Sequence, residues 1–454
     1  MRKTVLAIVG LFLAGTIVAA TTHKVGDAAL GTIPYDRFEK NEVCAQCHTD
    51  IARQYAQSLM SQSFTHQWDE AEYFDLAVLH AEKLAKVAGV KAGCNGCHAP
   101  LAFLAGDIPP KRPEAGTRAN EGVSCDVCHS ITGFQGEVPF NFNYIIEPGN
   151  TKQGVRTGTE SPHHKIAVNP FLASAEFCGT CHNEKDPWGM WVKATQLEWK
   201  KSPQGRAGIT CQQCHMPAAP GNSAPDAGGQ DHPDVRQHLF HGAHWPDMLN
   251  GAVQVGIVGA SDTVTPGSTA RFIATIMNVK AGHMIPSGSA EERVVWLDVN
   301  AVDSTGHVYH LKVNPKGFKG EELTISSPGT LAYQDIGDIK GLEGFAGLER
   351  DGDVPAGDRI FRLPYLDDKG RMTVAQWNTA SFGPDYRLAP LKATNETFTW
   401  KLPKDIAPGP VTVRATVWYS RVVSSVARYM GLPETEYAPV KMGESSFRLM
   451  VTAG

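Results

Sequence analysis

Cys94-Asn95-Gly96-Cys97-His98 is one of five Cys-x-x-Cys-His runs in this chain. The others are Cys44-Cys47-His48, Cys125-Cys128-His129, Cys178-Cys181-His182 and Cys211-Cys214-His215, and together they use all ten cysteines. This spacing attaches c-type haem. The two thiols form thioethers with the porphyrin, and the following histidine reaches the iron. The runs therefore predict five covalent haem c groups, with His48, His98, His129, His182 and His215 as proximal ligands. A zinc site would not need histidine after the second cysteine every time, and a thioredoxin-like redox pair would not recur five times. Disulfides would leave the five histidines unexplained.

The amino terminus points to the same compartment. Arg2 and Lys3 precede an uncharged apolar run that ends in Val18-Ala19-Ala20. Residues 1–20 are expected to be a secretory signal peptide; an uncleaved anchor is the alternative, but the run is short for a membrane span. Covalent haem is attached outside the bacterial cytoplasm, so a periplasmic, secreted or cell-surface location is expected. No later segment is long and apolar enough to span a bilayer. Formal net charge is −5 before haem propionates are counted, and nothing basic points to nucleic acid.

All five motifs fall before residue 216, and the texture changes near Gly251. A loop-rich, mainly helical haem domain is expected over 21–249. Within it, Asp69 and Glu72 are spaced as a capping box. Tyr73, Ala77, His80 and Leu84 form a helical stripe, and Gly89 is a suitable stop. A second helix is expected after the first haem, with Ile51, Tyr55 and Leu59 on one face. Pro217 to Gly229 reads as an exposed loop. Over 250–454, runs such as 270–276, 293–299 and 411–418 are rich in β-branched and aromatic residues and separated by turn formers. They predict an all-β, immunoglobulin-like sandwich that folds as a separate unit. The fold class is thus α+β and multidomain.

Around the cysteines the sequence resembles multihaem cytochromes of the cytochrome c-554/c-prime type. The resemblance lies in Cys94 to Leu101 (C-x-x-C-H-A-P-L), Glu121 to His129, Glu176 to His182 and Thr210 to Pro217. It implies closely spaced haems in an electron-transfer chain, usually with histidine on both iron faces.

Distal ligands must come from elsewhere. His80 lies on an apolar helix stripe, as a ligand or as a buried histidine satisfied by the backbone. Of His163 and His164, one is expected to be a ligand because related cytochromes carry a histidine there; His163 is preferred. His238-Leu239-Phe240-His241-Gly242-Ala243-His244 resembles an H-x-F-x-G-x-H element, which implies ligands at His238 and His244; a surface zinc site is the alternative, but Gly242 and Pro246 interrupt a helix there. Ser58 to Phe64 resembles S-x-H-x-x-A-F with Met60 in the histidine position. Met60 ligates, or His66 serves, or that haem is open, or Met60 only packs on a porphyrin. Ala281-Gly282-His283-Met284-Ile285-Pro286-Ser287-Gly288 resembles a G-H-x-x-P-T-G loop. His283 either reaches a haem or bonds to its own turn.

The leading expectation is a pentahaem electron carrier working with redox protein partners. The second is a haem enzyme acting on a small nitrogen or sulfur compound at one open haem. Pentahaem nitrite reductases carry C-x-x-C-K at the active haem, whereas all five motifs here end in histidine. The third is a subunit of a self-assembling cytochrome filament, with His283 or His23 donated between neighbours.

Overall fold

The computed structural model describes residues 29–327, 331–349 and 354–453. The apolar run at 1–20 and His23 lie outside them. Among the described residues, no helix is long and apolar enough to cross a membrane.

The first half consists of short helices joined by loops and two-stranded ribbons. The motifs sit on helical turns at Asn41–Cys44, Val90–His98, Cys125–Cys128, Ala175–His182 and Cys211–His215. In a helical turn, positions i and i+3 lie one above the other. Both sulfurs of a motif then face one way, with histidine beside them. Local capping starts these turns. Ser124 Oγ accepts from Val127 N at 3.4 Å, and Ser174 Oγ from Phe177 N at 3.3 Å. Thr210 and Gln213 form a reciprocal capping box. Gly96 is required between its two cysteines, because a Cβ there would lie 2.4 Å from the Phe142 ring.

Four local expectations change. The helix expected to start at a capping box begins earlier, at Gln67, because Asp69 spends its carboxylate on His66 and His98. It runs Gln67–Glu72, a π turn Tyr73–Ala77, then Val78–Lys83. Gly89 does not stop it; Leu84 leaves the helical region, and Gly89 precedes the next helix. The helix after the first haem spans Thr49–Ala56, so Leu59 lies beyond it. Part of the expected loop at 217–229 is strand Ala218–Asn222, paired with Asp231–Arg236.

The second half is rich in β structure. The strands of its two main sheets are β1 (Val253–Gly259), β2 (Thr263–Val264), β3 (Thr269–Asn278), β4 (Val294–Val302), β5 (Val308–His310), β6 (Arg359–Ile360), β7 (Ala393–Lys401), β8 (Gly409–Ser420) and β9 (Val440–Val451). One sheet has the order β2-β9-β8-β4-β5, with β6 also on β4, and the other β7-β3-β1. Alternation sets the register: along β3, Ala270, Phe272, Ala274 and Ile276 are buried, and Phe272 pairs with Phe398. Phe272, Ile276 and Phe398 from one sheet share a core with Val299, Val413 and Leu449 from the other.

A second apolar core crosses the 249/250 boundary. Trp68, Leu76, Val87 and Val90 pack in one cluster with Trp296, Ile336, Trp377 and Val426. Polar contacts reinforce it: Trp188 Nε1 donates to Asn378 Oδ1 at 3.0 Å, Thr379 N to Asp186 Oδ2 at 3.0 Å, and Lys83 Nζ to Ile339 O at 2.7 Å.

Candidate haem-binding site

One continuous cavity of about 2160 Å³ runs through the haem-motif region. All ten motif cysteines and all five motif histidines line it, as do Trp377, Arg293 and Glu436 from the β half. Sulfurs of different motifs are neighbours. Cys44 lies against Cys125, Cys97 against Cys181, and Cys178 against Cys211.

Four motif histidines are held through Nδ1. His48 Nδ1 is 2.6 Å from Ser223 O, His129 Nδ1 2.7 Å from Gln153 O, and His215 Nδ1 2.6 Å from His241 O. His98 Nδ1 has two acceptors, Ser63 O at 3.0 Å and Asp69 Oδ1 at 3.2 Å. A carbonyl on Nδ1 fixes the tautomer and leaves the Nε2 lone pair for a metal. This is the donor set that an axial haem ligand needs.

Three of these rings face a second imidazole. A metal–imidazole bond is about 2.0 Å; two in line, plus about 1 Å from each nitrogen to its ring centre, separate ring centres by roughly 6 Å. His48 and His164 are 6.3 Å apart with 29° between planes, His129 and His238 6.2 Å and 23°, and His215 and His283 6.5 Å and 17°. The outer rings are also oriented: His238 Nδ1 is 3.0 Å from Arg236 O, His164 Nδ1 3.1 Å from Lys165 O, and His283 Nδ1 2.8 Å from Met284 O. Among the described residues, neither His98 nor His182 has an imidazole facing it at this spacing.

Among the described residues, the other expected ligands do not face a motif imidazole. His163 is mostly exposed, 3.8 Å from Glu39, while its neighbour His164 faces His48. Met60 lines the cavity, but the ring opposite His48 is His164. His80 is buried, accepts a hydrogen bond at Nδ1 from Trp377 Nε1 at 3.1 Å, and does not line the cavity. His244 directs Nε2 to Glu436 Oε2 at 3.1 Å and packs edge-on against His66. His238 and His283 are brought to motif histidines. The sequence reading missed the anchoring carbonyls and Glu436, which no local signal marks.

Burial, helped by neighbouring imidazoles, pulls His182 and His238 down to about 4. Burial also lowers His129 and His215. Neutral imidazole is the form that binds metal. His66 behaves oppositely. Burial would lower it, but Asp69 and Glu436 outweigh burial and raise it to about 9.

Residues 43–130 match the family described as cytochrome c554 and c-prime. The fold is similar to that of a penta-haem cytochrome c552 from Thermochromatium tepidum, with a TM-score of 0.62 and 20% identity over 91% of this chain and 100% of that one. The sporulation control protein Spo0M from Bacillus subtilis aligns over 45% of this chain and 51% of its own, at 11% identity and a TM-score of 0.17. That score carries no comparison. No curated protein matches the sequence. The motif-lined cavity, the family match over residues 43–130 and the shared fold agree with one another: this chain is similar to multihaem c-type cytochromes.

Proposed function

We propose that the protein carries five covalent haems and passes electrons along them outside the cytoplasm, in the periplasm or at the cell surface. The observation that carries this is the single cavity reached by all ten motif cysteines, with three imidazole pairs at axial spacing. His164, His238 and His283 would hold iron together with His48, His129 and His215. Two neutral histidines would give such an iron a low potential. Neighbouring sulfurs support two groups of adjacent haems. The first and third motifs adjoin, as do the second and fourth, and the fourth and fifth. The fourth haem then lies on the path to both the second and the fifth. The haems are the redox sites, and the polypeptide sets spacing, ligation and exposure. Redox proteins are the expected partners. The apolar segment at 1–20 supports export.

The intact mass of mature protein should exceed the polypeptide by five haem masses; four or fewer would refute the haem count. His164→Ala should turn one low-spin ferric haem high-spin in electron paramagnetic resonance. His163→Ala should leave all signals unchanged. The reverse pattern would refute the assignment.

A second reading is favoured by one observation. His98 and His182 lack a facing imidazole among the described residues, which suits an iron with an exchangeable position and the chemistry of a small nitrogen or sulfur compound. A high-spin ferric signal in the unmodified protein supports it, and five low-spin haems exclude it.

A further inference from the structure

His66, His244 and Glu436 come from three separate parts of the chain and converge on one point. His66 precedes the helix that begins at Gln67, His244 belongs to the segment joining the two halves, and Glu436 lies on the β-half helix Glu434–Tyr437. His66 Nε2 is 3.2 Å from Glu436 Oε2, and His244 Nε2 is 3.1 Å from the same oxygen. The three donor atoms lie within 4.8 Å of one another. Their side chains are 11%, 29% and 15% exposed, so the cluster is set back from bulk water.

The two His–Glu436 spacings are those of neighbouring ligands around a small divalent metal. Bonds of about 2.0–2.1 Å in tetrahedral geometry put neighbouring donors roughly 3.3 Å apart. A second carboxylate stands behind the first shell: Asp69 Oδ2 is 3.1 Å from His66 Nδ1. A carboxylate on the far nitrogen of a ligating histidine orients the ring and strengthens its donor atom. Without a metal, both Nε2 atoms would have to donate to one oxygen while His66 Nδ1 also donates to Asp69. His66 would then be an imidazolium enclosed between two carboxylates. With a metal, both rings are neutral, each Nε2 lone pair has a use, and the remaining N–H of His66 goes to Asp69.

We propose that His66, His244 and Glu436 form a divalent transition-metal site of the zinc class, with Asp69 as its supporting carboxylate. Two imidazoles and one carboxylate are a borderline donor set that suits zinc better than calcium or magnesium. Three protein ligands leave one position for water. Because Glu436 comes from the β half and His66 from the haem half, the ion is a clamp between them. The other oxygen of Asp69 meets His98 Nδ1, so the clamp also fixes the imidazole beneath the second haem motif.

The test uses the full-length holoprotein. Samples stripped with a chelator are equilibrated with zinc, separated from free ion and assayed for zinc and iron. One zinc per chain is expected in the unmodified protein. At least a tenfold weaker affinity is expected in Glu436→Gln and in His66→Ala. Iron content and the circular-dichroism spectrum should be unchanged in both variants, which shows that the haems are attached and the chain remains folded. Zinc should also raise the unfolding midpoint of the unmodified protein but not that of Glu436→Gln. Absence of stoichiometric zinc, or undiminished zinc in both variants, would overturn the proposal. Iron content reports the haem assignment independently of zinc, so the two failures are distinguishable.

Discussion

Arg359 has no solvent-exposed side-chain surface and is held on three sides. Nε donates to Glu396 at 3.1 Å, Nη1 to Thr324 Oγ1 at 2.7 Å and Nη2 to Glu321 at 2.7 Å. Replacing it with a neutral side chain leaves buried Glu321 without its cation and buried Glu396 with Lys316 alone. Arg359→Met should therefore cost about 3–5 kcal/mol in denaturant unfolding of the β half, with the visible haem spectrum unchanged. Asp358, the preceding residue, makes a pH-dependent contribution. Burial, despite the hydrogen bond with His310 at 2.6 Å, pushes its carboxyl up to about 7. The hydrogen bond with Asp358 in turn raises His310. Both folded values lie above their unfolded ones, so the folded state binds the extra proton. The pair's stabilisation is full below about pH 4 and is lost as pH rises through about 7. Unfolding midpoints across pH 5–8.5 should show this decline, and Asp358→Asn should flatten it. At this scale the sequence reveals composition better than direction. The ten cysteines and their histidines are legible because their chemistry is local. His163 and His164 are adjacent and alike, and only the fold decides which ring turns inward.

The loop carrying His283 shows how an element aims a ligand. Its sequence advertises a turn through Gly282, Pro286 and Gly288, but a turn alone does not hold an imidazole at axial distance. Glu198, on helix Thr195–Lys201, supplies the hold. Its Oε2 accepts from Met284 N at 3.2 Å and Ser287 Oγ at 2.7 Å, and its Oε1 accepts from Arg387 at 2.6 Å. Asn278 Nδ2 donates to the His283 carbonyl at 2.9 Å from the other side. Glu198 is separated from the loop by more than eighty residues, so no local pattern predicts the partnership. Glu198→Ala removes all three acceptor bonds and leaves Arg387 only Asp385. It should destabilise the loop by about 1–3 kcal/mol. The expected readout is one low-spin ferric signal becoming heterogeneous and more easily displaced by added cyanide. The haems proposed to be ligated by His164 and His238 should be unaffected. Uniform behaviour across all haems would show that the loop needs no such anchor. The strands, by contrast, were legible: alternation along 270–276 and 411–418 places the correct faces inward because a sheet's period is local.

Across the whole molecule, the two halves share structure that a boundary at 249/250 would divide. The apolar cluster containing Trp68, Leu76, Val87 and Val90 on one side and Trp296, Ile336 and Val426 on the other has no meaning for either half alone. The sequence separates the halves because it shows cysteines ending and β-branched residues beginning. Packing across that line involves pairs more than two hundred residues apart. Each buried aliphatic side chain lost from such a cluster removes about 1.5–3 kcal/mol of favourable burial. A fragment beginning at Gly251 retains the sheet-to-sheet core around Phe272 and Val413, but it exposes the face that Trp68 and Leu76 cover. It should keep β structure by circular dichroism, bind a hydrophobic dye, and unfold at a lower denaturant concentration than the same strands in the whole chain. Leu76→Ala in the full-length protein tests the same contact without cutting the chain. Leu76 is fully buried, so the loss should be about 2–5 kcal/mol. It should lower the unfolding midpoint of the β signal as well as that of the haem region. If the fragment unfolds at the same midpoint as the whole chain, and Leu76→Ala leaves the β signal untouched, the halves are energetically independent despite their contact.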